Sequence, residues 1–253
     1  MLQPDGLLSN LETIVREAGD IALKAQSGIA REIKPDGSIV TPADREVERF
    51  IRSKLVNLLP TAGITGEEMG SAEEREDGLW LIDPIDGTSN YAYGSPNWGV
   101  SVGLVRGEEP LIGAVFLPAL GEMYLAAIGS GATLNGTRIP AIPHGPIRPE
   151  ELVSCPDRIL RMYPRADLSG KMRHTGAFVL DAAYTAVQRY RGLIGVREKL
   201  YDIAACLCIA REVDADVRYA DGSPLLLEPL KNERAKLEKG WLIFPKHSGL
   251  LLS

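Results

Sequence analysis

From Trp80 to Asn90 the chain reads Trp-Leu-Ile-Asp-Pro-Ile-Asp-Gly-Thr-Ser-Asn. An apolar strand of this kind belongs in a core, and it carries Asp83 to its end. Pro84 is expected to stop the strand, because it has no amide to donate. Asp86, three residues on, can turn back into the same space. Gly87, Thr88 and Ser89 then open a helix whose free N–H groups can face an anion. Carboxylates and phosphate-binding amides so gathered suit a divalent cation held by protein on one side and phosphate on the other. Read singly, the same residues are ordinary: Asp83 could end a strand and Asp86 could be a turn aspartate before glycine.

Around this segment, periodicity sets out the remaining elements. Leu8, Leu11, Ile14, Val15, Ala18, Ile21, Ala22 and Ala25 follow helical spacing, with Ser9 or Asn10 as the expected cap. Residues 33–44, rich in Pro, Gly and Asp, read as a loop or hairpin, and a second helix is expected from Asp44 to Leu58. A short strand precedes Glu67. The runs at 98–107, 110–118 and 122–128 read as a three-stranded antiparallel meander. Asn135-Gly136 marks a tight hairpin. Residues 140–149 are proline-rich and read as a linker between an N-terminal half, 1–145, and a C-terminal half, 146–253. The second half is expected to hold a strand near Leu152–Cys155, helices over 176–189 and 202–213, and a last strand at Gly240–Pro245. The mixture predicts an α+β or layered αβ fold.

Composition narrows the function. The 253 residues carry a net charge of −6, against the basic excess of a nucleic-acid protein. No apolar run is long enough for a membrane span, and the first residues lack a signal-peptide pattern. Cys155, Cys206 and Cys208 are odd in number and form no CxxC pair, so a reducing cytoplasm is expected. The three histidines, His144, His174 and His247, are not spaced as a metal site. No Cys-x5-Arg phosphatase signature occurs, and Gly129–Gly131 lies between strands, as a turn rather than a dinucleotide fingerprint. Oxygen ligands from Asp and Glu point to Mg²⁺.

Two further acids could join Asp83 and Asp86. Glu67 ends the preceding strand, where it could equally be a turn residue. Asp202, ahead of an apolar stretch, could equally be a helix N-cap. Taken with Val40–Asp44, Gly66–Glu68, Arg173–Ala177 and Tyr201–Ala205, the Trp80–Tyr91 segment resembles the inositol monophosphatase family over nearly the whole chain. That family also includes fructose-1,6-bisphosphatases and nucleotide phosphatases.

The resemblance implies a layered α/β/α/β/α sandwich of the sugar-phosphatase type, usually a homodimer. It also implies Mg²⁺, about two or three ions per subunit, and inhibition by lithium. Glu67, Asp83, Asp86 and Asp202 match metal-binding side chains, and Ile85 matches a metal-binding carbonyl. Thr88 and Asp44 match the residues that hold the attacking water, with Glu67 also placed in the catalytic set. Gly87, Thr88 and Ser89 match the phosphate cradle, while Gly176, Ala177 and Asp202 match substrate contacts. The implied activity is hydrolysis of a small polyol or sugar phosphate, most simply inositol-1-phosphate. Fructose-1,6-bisphosphate or another sugar or nucleotide phosphate is the alternative, ahead of histidinol phosphate and of a non-catalytic sensor. A sensor would be expected to lose a ligand or the water-holding pair, and none is lost.

Two departures bear on the substrate. Family inositol phosphatases usually place an acidic residue seven positions before the final aspartate, to hold sugar hydroxyls. Here that position is Gly195, so poor discrimination among neutral polyol phosphates is expected. The segment around it is basic, with Arg189, Arg191, Arg197 and Lys199. Those cations read either as a solvated helix end and loop or as a cleft rim that favours a second anionic group. Ala177 stands where Ser or Thr is common, which removes one substrate hydrogen bond.

Overall fold

The computed structural model describes residues 4–27, 30–35, 37–163, 168–232 and 235–250. Helices α1 (Pro4–Ala25) and α2 (Pro42–Leu58) form an outer layer. Leu11, Val15, Ala18 and Ala22 on α1, and Val47, Ile51 and Leu55 on α2, make the buried stripes that their spacing requires. Ser9 and Asn10 lie inside α1 rather than capping it, and the Asn10 amide bonds back to Gly6 O at 2.8 Å. Thr41 caps α2, and Pro42, pre-set for the first turn, starts it two residues ahead of Asp44. Between the helices, β1 (Glu32–Ile33) and β2 (Ile39–Val40) pair as a small antiparallel hairpin.

Beneath this layer lies a seven-stranded sheet. Its strands are β3 (Gly63–Gly66), β4 (Leu79–Asp86), β5 (Gly99–Arg106), β6 (Glu109–Leu117), β7 (Glu122–Ala127), β8 (Gly131–Leu134) and β9 (Thr137–Arg138), side by side in chain order. In this sheet only β3–β4 is parallel; the expected three-stranded meander is β5–β7, and antiparallel pairing extends it to β4 on one side and to β8 and β9 on the other. Asn135 and Gly136 adopt φ of 48° and 77°, the left-handed pair that a primed hairpin turn needs.

Alternation along the strands fixes both faces. Trp80, Ile82, Val102 and Ala114 face α1 and α2. Leu79, Leu81, Val115 and Tyr124 face the other way, onto α5 (Phe178–Ala186) and α6 (Leu200–Glu212). Helix α6 is apolar nearly all round because it is buried nearly all round. It lies so close that a Cβ at Gly113 would stand 2.3 Å from Ala205 O.

The inner helices are covered in turn by a second sheet of β10 (Leu152–Ser154), β11 (Lys171–Arg173), β12 (Gly192–Gly195), β13 (Ala215–Tyr219) and β14 (Trp241–Pro245). Its order is β11-β10-β12-β14-β13. Val153, Ile194, Leu242 and Phe244 pack outward against Ile159 of α4 (Asp157–Met162). The layers are therefore α/β/α/β/α, as the resemblance implies.

The basic segment corrects the sequence reading. Its middle, Gly192–Gly195, is a buried central strand rather than a helix end and loop. A Cβ at Gly192 would stand 2.3 Å from the Phe244 ring, and one at Gly195 would stand 2.4 Å from Trp241 Nε1. The glycines exist to let these rings lie against the backbone, and a four-residue strand bounded by glycine leaves no periodic signal. Arg191 is buried and donates to the carbonyls of Pro143 and Gly145, so it ties the proline-rich segment down and does not border a cleft.

Candidate active site

Pro84 does not end β4. The strand continues to Asp86 through a slip in register: Asp83 pairs with Ser101, but Asp86 pairs with Gly99. Three steps on β4 thus match two on β5, which is the count of a β-bulge. Asp83, Ile85 and Asp86 all line one cavity of about 530 Å³, together with Gly87, Thr88, Glu67 and Asp202. Gly87 has φ of 84°, and a Cβ there would stand 2.8 Å from the Ala177 methyl, so the turn into α3 (Thr88–Ala92) requires glycine. Asp86 Oδ2 accepts the Val179 amide at 2.8 Å, which links this turn to the start of α5.

Asp44 and Asp202 are positioned by one device used twice. Each is the third residue of its helix, and its carboxylate folds back to accept the amide of the capping residue. Asp44 Oδ2 accepts Thr41 N at 2.8 Å, and Asp202 Oδ2 accepts Lys199 N at 2.7 Å. Asp202 is therefore not the N-cap, which is Lys199, but the partner of that cap from the third helical position; one oxygen serves the cap, and the residue lines the cavity. Asp44 is fully buried behind Thr88, whose Oγ1 stands 3.3 Å from Asp44 Oδ1 and 3.0 Å from Ile85 O.

The carboxylates raise one another. Burial, then the charge of Glu67, lifts Asp83 and Asp202 well above the usual range. Asp86 is pushed up to about 7, chiefly by burial. Burial raises Glu67 too, while Lys34 opposes it. Lys34 Nζ reaches Glu67 at 3.1 Å and Glu68 at 2.5 Å from the β1–β2 hairpin. Among the described residues no three acidic, histidine or cysteine side chains close tightly on a common point. Hard oxygen donors that share one cavity and raise one another's pKa are the chemistry that a divalent cation satisfies.

From the second half of the chain the cavity is also lined by Ser154, Arg158, His174, Gly176, Phe178, Asp181, Arg197 and Glu198. Ser89 is exposed and, like the buried Ala177, is not among the lining residues. Of the basic residues singled out from the sequence, Arg197 lines the cavity. Lys199 lines a smaller adjoining recess, its ammonium 5.3 Å from the Tyr201 ring centre.

Sequence reasoning missed Arg158, Asp181, Glu198 and Lys34. Asp181 accepts the Ser154 and Thr175 hydroxyls at 2.7 and 2.9 Å and lies 3.7 Å from His174 Nδ1, whose pKa it raises. The available signal was a charged residue inside an apolar helix, as at Asp181.

The sequence pattern of the inositol monophosphatase family matches residues 5–243. A fructose-1,6-bisphosphatase/inositol-1-monophosphatase of Aquifex aeolicus is 34% identical over 213 residues, or 77% of this chain and 79% of that protein. An inositol-1-monophosphatase of Rhizobium meliloti is 30% identical over 229 residues, 86% and 84% of the two chains. The solved structure of a Thermotoga maritima IMPase superposes with a TM-score of 0.80 at 30% identity, covering 96% of this chain and 92% of that one. With its sequence pattern, layered fold and relatives in agreement, this chain belongs to the inositol monophosphatase family, whose members are phosphoric monoester hydrolases.

Proposed function

We propose that the chain is a Mg²⁺-dependent phosphatase of small polyol or sugar phosphates, with inositol-1-phosphatase-like chemistry. The observation that carries this reading is the Thr88–Asp44 pair set beside Glu67, Asp83, Asp86 and Asp202. Those four side chains, with the Ile85 carbonyl, would hold the cation. Once bound, Mg²⁺ would make water a better nucleophile and offset charge on the leaving oxygen.

The chain's own residues supply the rest. Asp44, fixed by Thr41, takes the Thr88 hydroxyl proton as a hydrogen bond and leaves a Thr88 lone pair to orient the attacking water. The water proton then has a path through Thr88 to Asp44, whose buried carboxyl has a raised pKa and so accepts it more readily. Gly87 and Thr88 hold the phosphate against this pair. Residues 1–145 contribute Asp44, Glu67, Asp83, Asp86 and Thr88, and residues 146–253 contribute Asp202 and the substrate-facing side.

A second reading, bisphosphate hydrolysis, is favoured by Arg158, His174 and Arg197 on the cavity wall and by the double name of the Aquifex relative. A reducing cytoplasm and a homodimer belong to the proposal. Three free, buried cysteines support the first. Among the described residues no helix is long and apolar enough to cross a membrane. The test is phosphate release from a panel of inositol-1-phosphate, glucose-1-phosphate, histidinol phosphate and fructose-1,6-bisphosphate, with chelator and with Mg²⁺. Full activity in chelator would overturn the reading.

A further inference from the structure

Position 195 cannot carry a hydroxyl-binding side chain in this fold. A Cβ there would meet Trp241 Nε1 at 2.4 Å and Glu198 Oε2 at 2.9 Å. The space is taken by Glu198. Arg197 adopts φ of 81°, a left-handed conformation that non-glycine residues keep only where the surroundings enforce it. That turn folds Glu198 back over the end of β12. Its Oε1 accepts the Val196 amide at 3.0 Å, and its Oε2 accepts the Trp241 indole N–H at 2.6 Å.

Each carboxylate oxygen therefore has one donor from the framework. The backbone amide of Glu198 itself adds a third, and a carboxylate offers about four acceptor sites, so capacity for a further donor remains. Glu198 lines the cavity alongside Asp202, Arg158, His174 and Arg197. The three basic neighbours can serve anionic groups. Two carboxylates of the cavity wall have no place among the four assigned to the cation: Asp181, which lies 3.7 Å from His174 Nδ1, and Glu198, which is in no ion pair among the described residues and so is the one left to receive neutral donors.

Resting on the phosphatase reading, we infer that Glu198, held by Trp241 and Val196, receives hydroxyl groups of the leaving alcohol and selects polyol phosphates over phosphates of bare alcohols. The expectation drawn from Gly195 is thereby revised, since the carboxylate arrives from three residues further on. Selection by a buried polar group is sharp because an alcohol without hydroxyls leaves that group unpaired.

The test compares inositol-1-phosphate with cyclohexyl phosphate, which has the same ring and no hydroxyls, at saturating Mg²⁺. In the wild type, kcat/KM should favour the inositol ester by about ten- to a hundredfold. Glu198→Gln should remove most of that preference through KM for the inositol ester, leaving cyclohexyl phosphate and the Mg²⁺ half-saturation unchanged. Trp241→Phe, which frees one oxygen, should shift the ratio the same way by less. Equal loss on both substrates would make Glu198 a structural residue and overturn the inference. If both variants fail to fold, the wild-type ratio decides, and equal KM values for the two esters overturn it. A wild type that hydrolyses neither ester with Mg²⁺ overturns the phosphatase reading itself.

Discussion

Thr88 Oγ1 stands 3.3 Å from Asp44 Oδ1, joining the first turn of α2 to the turn that follows β4. Asp44 cannot rotate away, because Thr41 N and Thr41 Oγ1 hold its other oxygen at 2.8 and 2.6 Å. Thr88 in turn is kept near Ile85 O at 3.0 Å. A hydroxyl fixed between two acceptors directs its lone pairs to one side. That geometry matters only if something on that side must be oriented.

Thr88→Ala is accordingly expected to lower kcat by about a hundredfold or more, with KM little changed. Asp44→Asn keeps the shape, and it should fall in the same range without adding to Thr88→Ala in the double variant. Steady-state kinetics on any accepted monoester checks both. A loss confined to KM would separate the pair from the reacting water.

Cation binding should show in stability as well as in rate. Burial and neighbouring charges raise Asp83, Asp86, Asp202 and Glu67 above their unfolded values. The chelated folded chain thus keeps protons, at Asp86 up to about pH 7, that the unfolded chain has already released at about pH 4. Stability of the chelated protein should therefore fall as pH rises through that window. The Tm gain on adding Mg²⁺ should grow over the same interval. A Mg²⁺-induced Tm shift that is flat from pH 5 to about pH 8 would contradict the assignment.

Asp86→Asn separates activity from stability. The amide oxygen can still accept the Val179 N–H, so the turn survives. A buried charge in a self-repelling group is gone. The chelated variant should melt several degrees higher than the chelated wild type at pH 8, while kcat falls by about a thousandfold. A variant with near-normal kcat would remove Asp86 from the site.

Glu48 is fully buried on α2 and touches no substrate, yet it fixes the loop that carries Glu67. Its Oε2 accepts the Glu68 amide at 2.7 Å, and its Oε1 accepts the Met69 amide at 3.1 Å and Arg52 Nε at 2.7 Å. Gly66 is required there, since a Cβ would stand 2.2 Å from Glu48 Oε1. Glu48→Ala should cost about 2–3 kcal/mol of stability and raise the Mg²⁺ concentration for half-maximal rate. Unchanged Mg²⁺ dependence in a folded variant would confine Glu48 to stability.

Much of this was legible because it depends on local spacing. Trp80–Asp83 announces a core strand that ends in acid, and α1 and α2 announce themselves by their stripes. What escaped depends on contacts between distant residues. The strand Gly192–Gly195 is defined by the rings of Phe244 and Trp241, which lie some 50 positions on. Glu198 gains its place only through Trp241 and the turn at Arg197. Pro84 was read by its general habit as a strand stop, and the bulge that carries the chain past it exists only in the pairing with β5.

The cations on the substrate-facing side decide the last prediction. Arg158, Arg197 and His174 line the cavity, whereas Arg191 is committed to carbonyls and Lys199 lies in the adjoining recess. A second phosphate on the leaving group should therefore raise kcat/KM for fructose-1,6-bisphosphate over glucose-1-phosphate. Arg158 and Arg197 are exposed, so about 0.5 M salt should erode the gain. Asp181 raises the pKa of His174, which keeps it cationic to higher pH, and the gain should shrink as pH rises past that range. Arg158→Gln and Arg197→Gln should each reduce the bisphosphate preference. Arg191→Gln should instead lower Tm and leave the preference intact, because its guanidinium serves the fold. A preference that survives both cavity substitutions and high salt would mean that the second phosphate is held elsewhere, or that the leaving group is chosen by its hydroxyls alone.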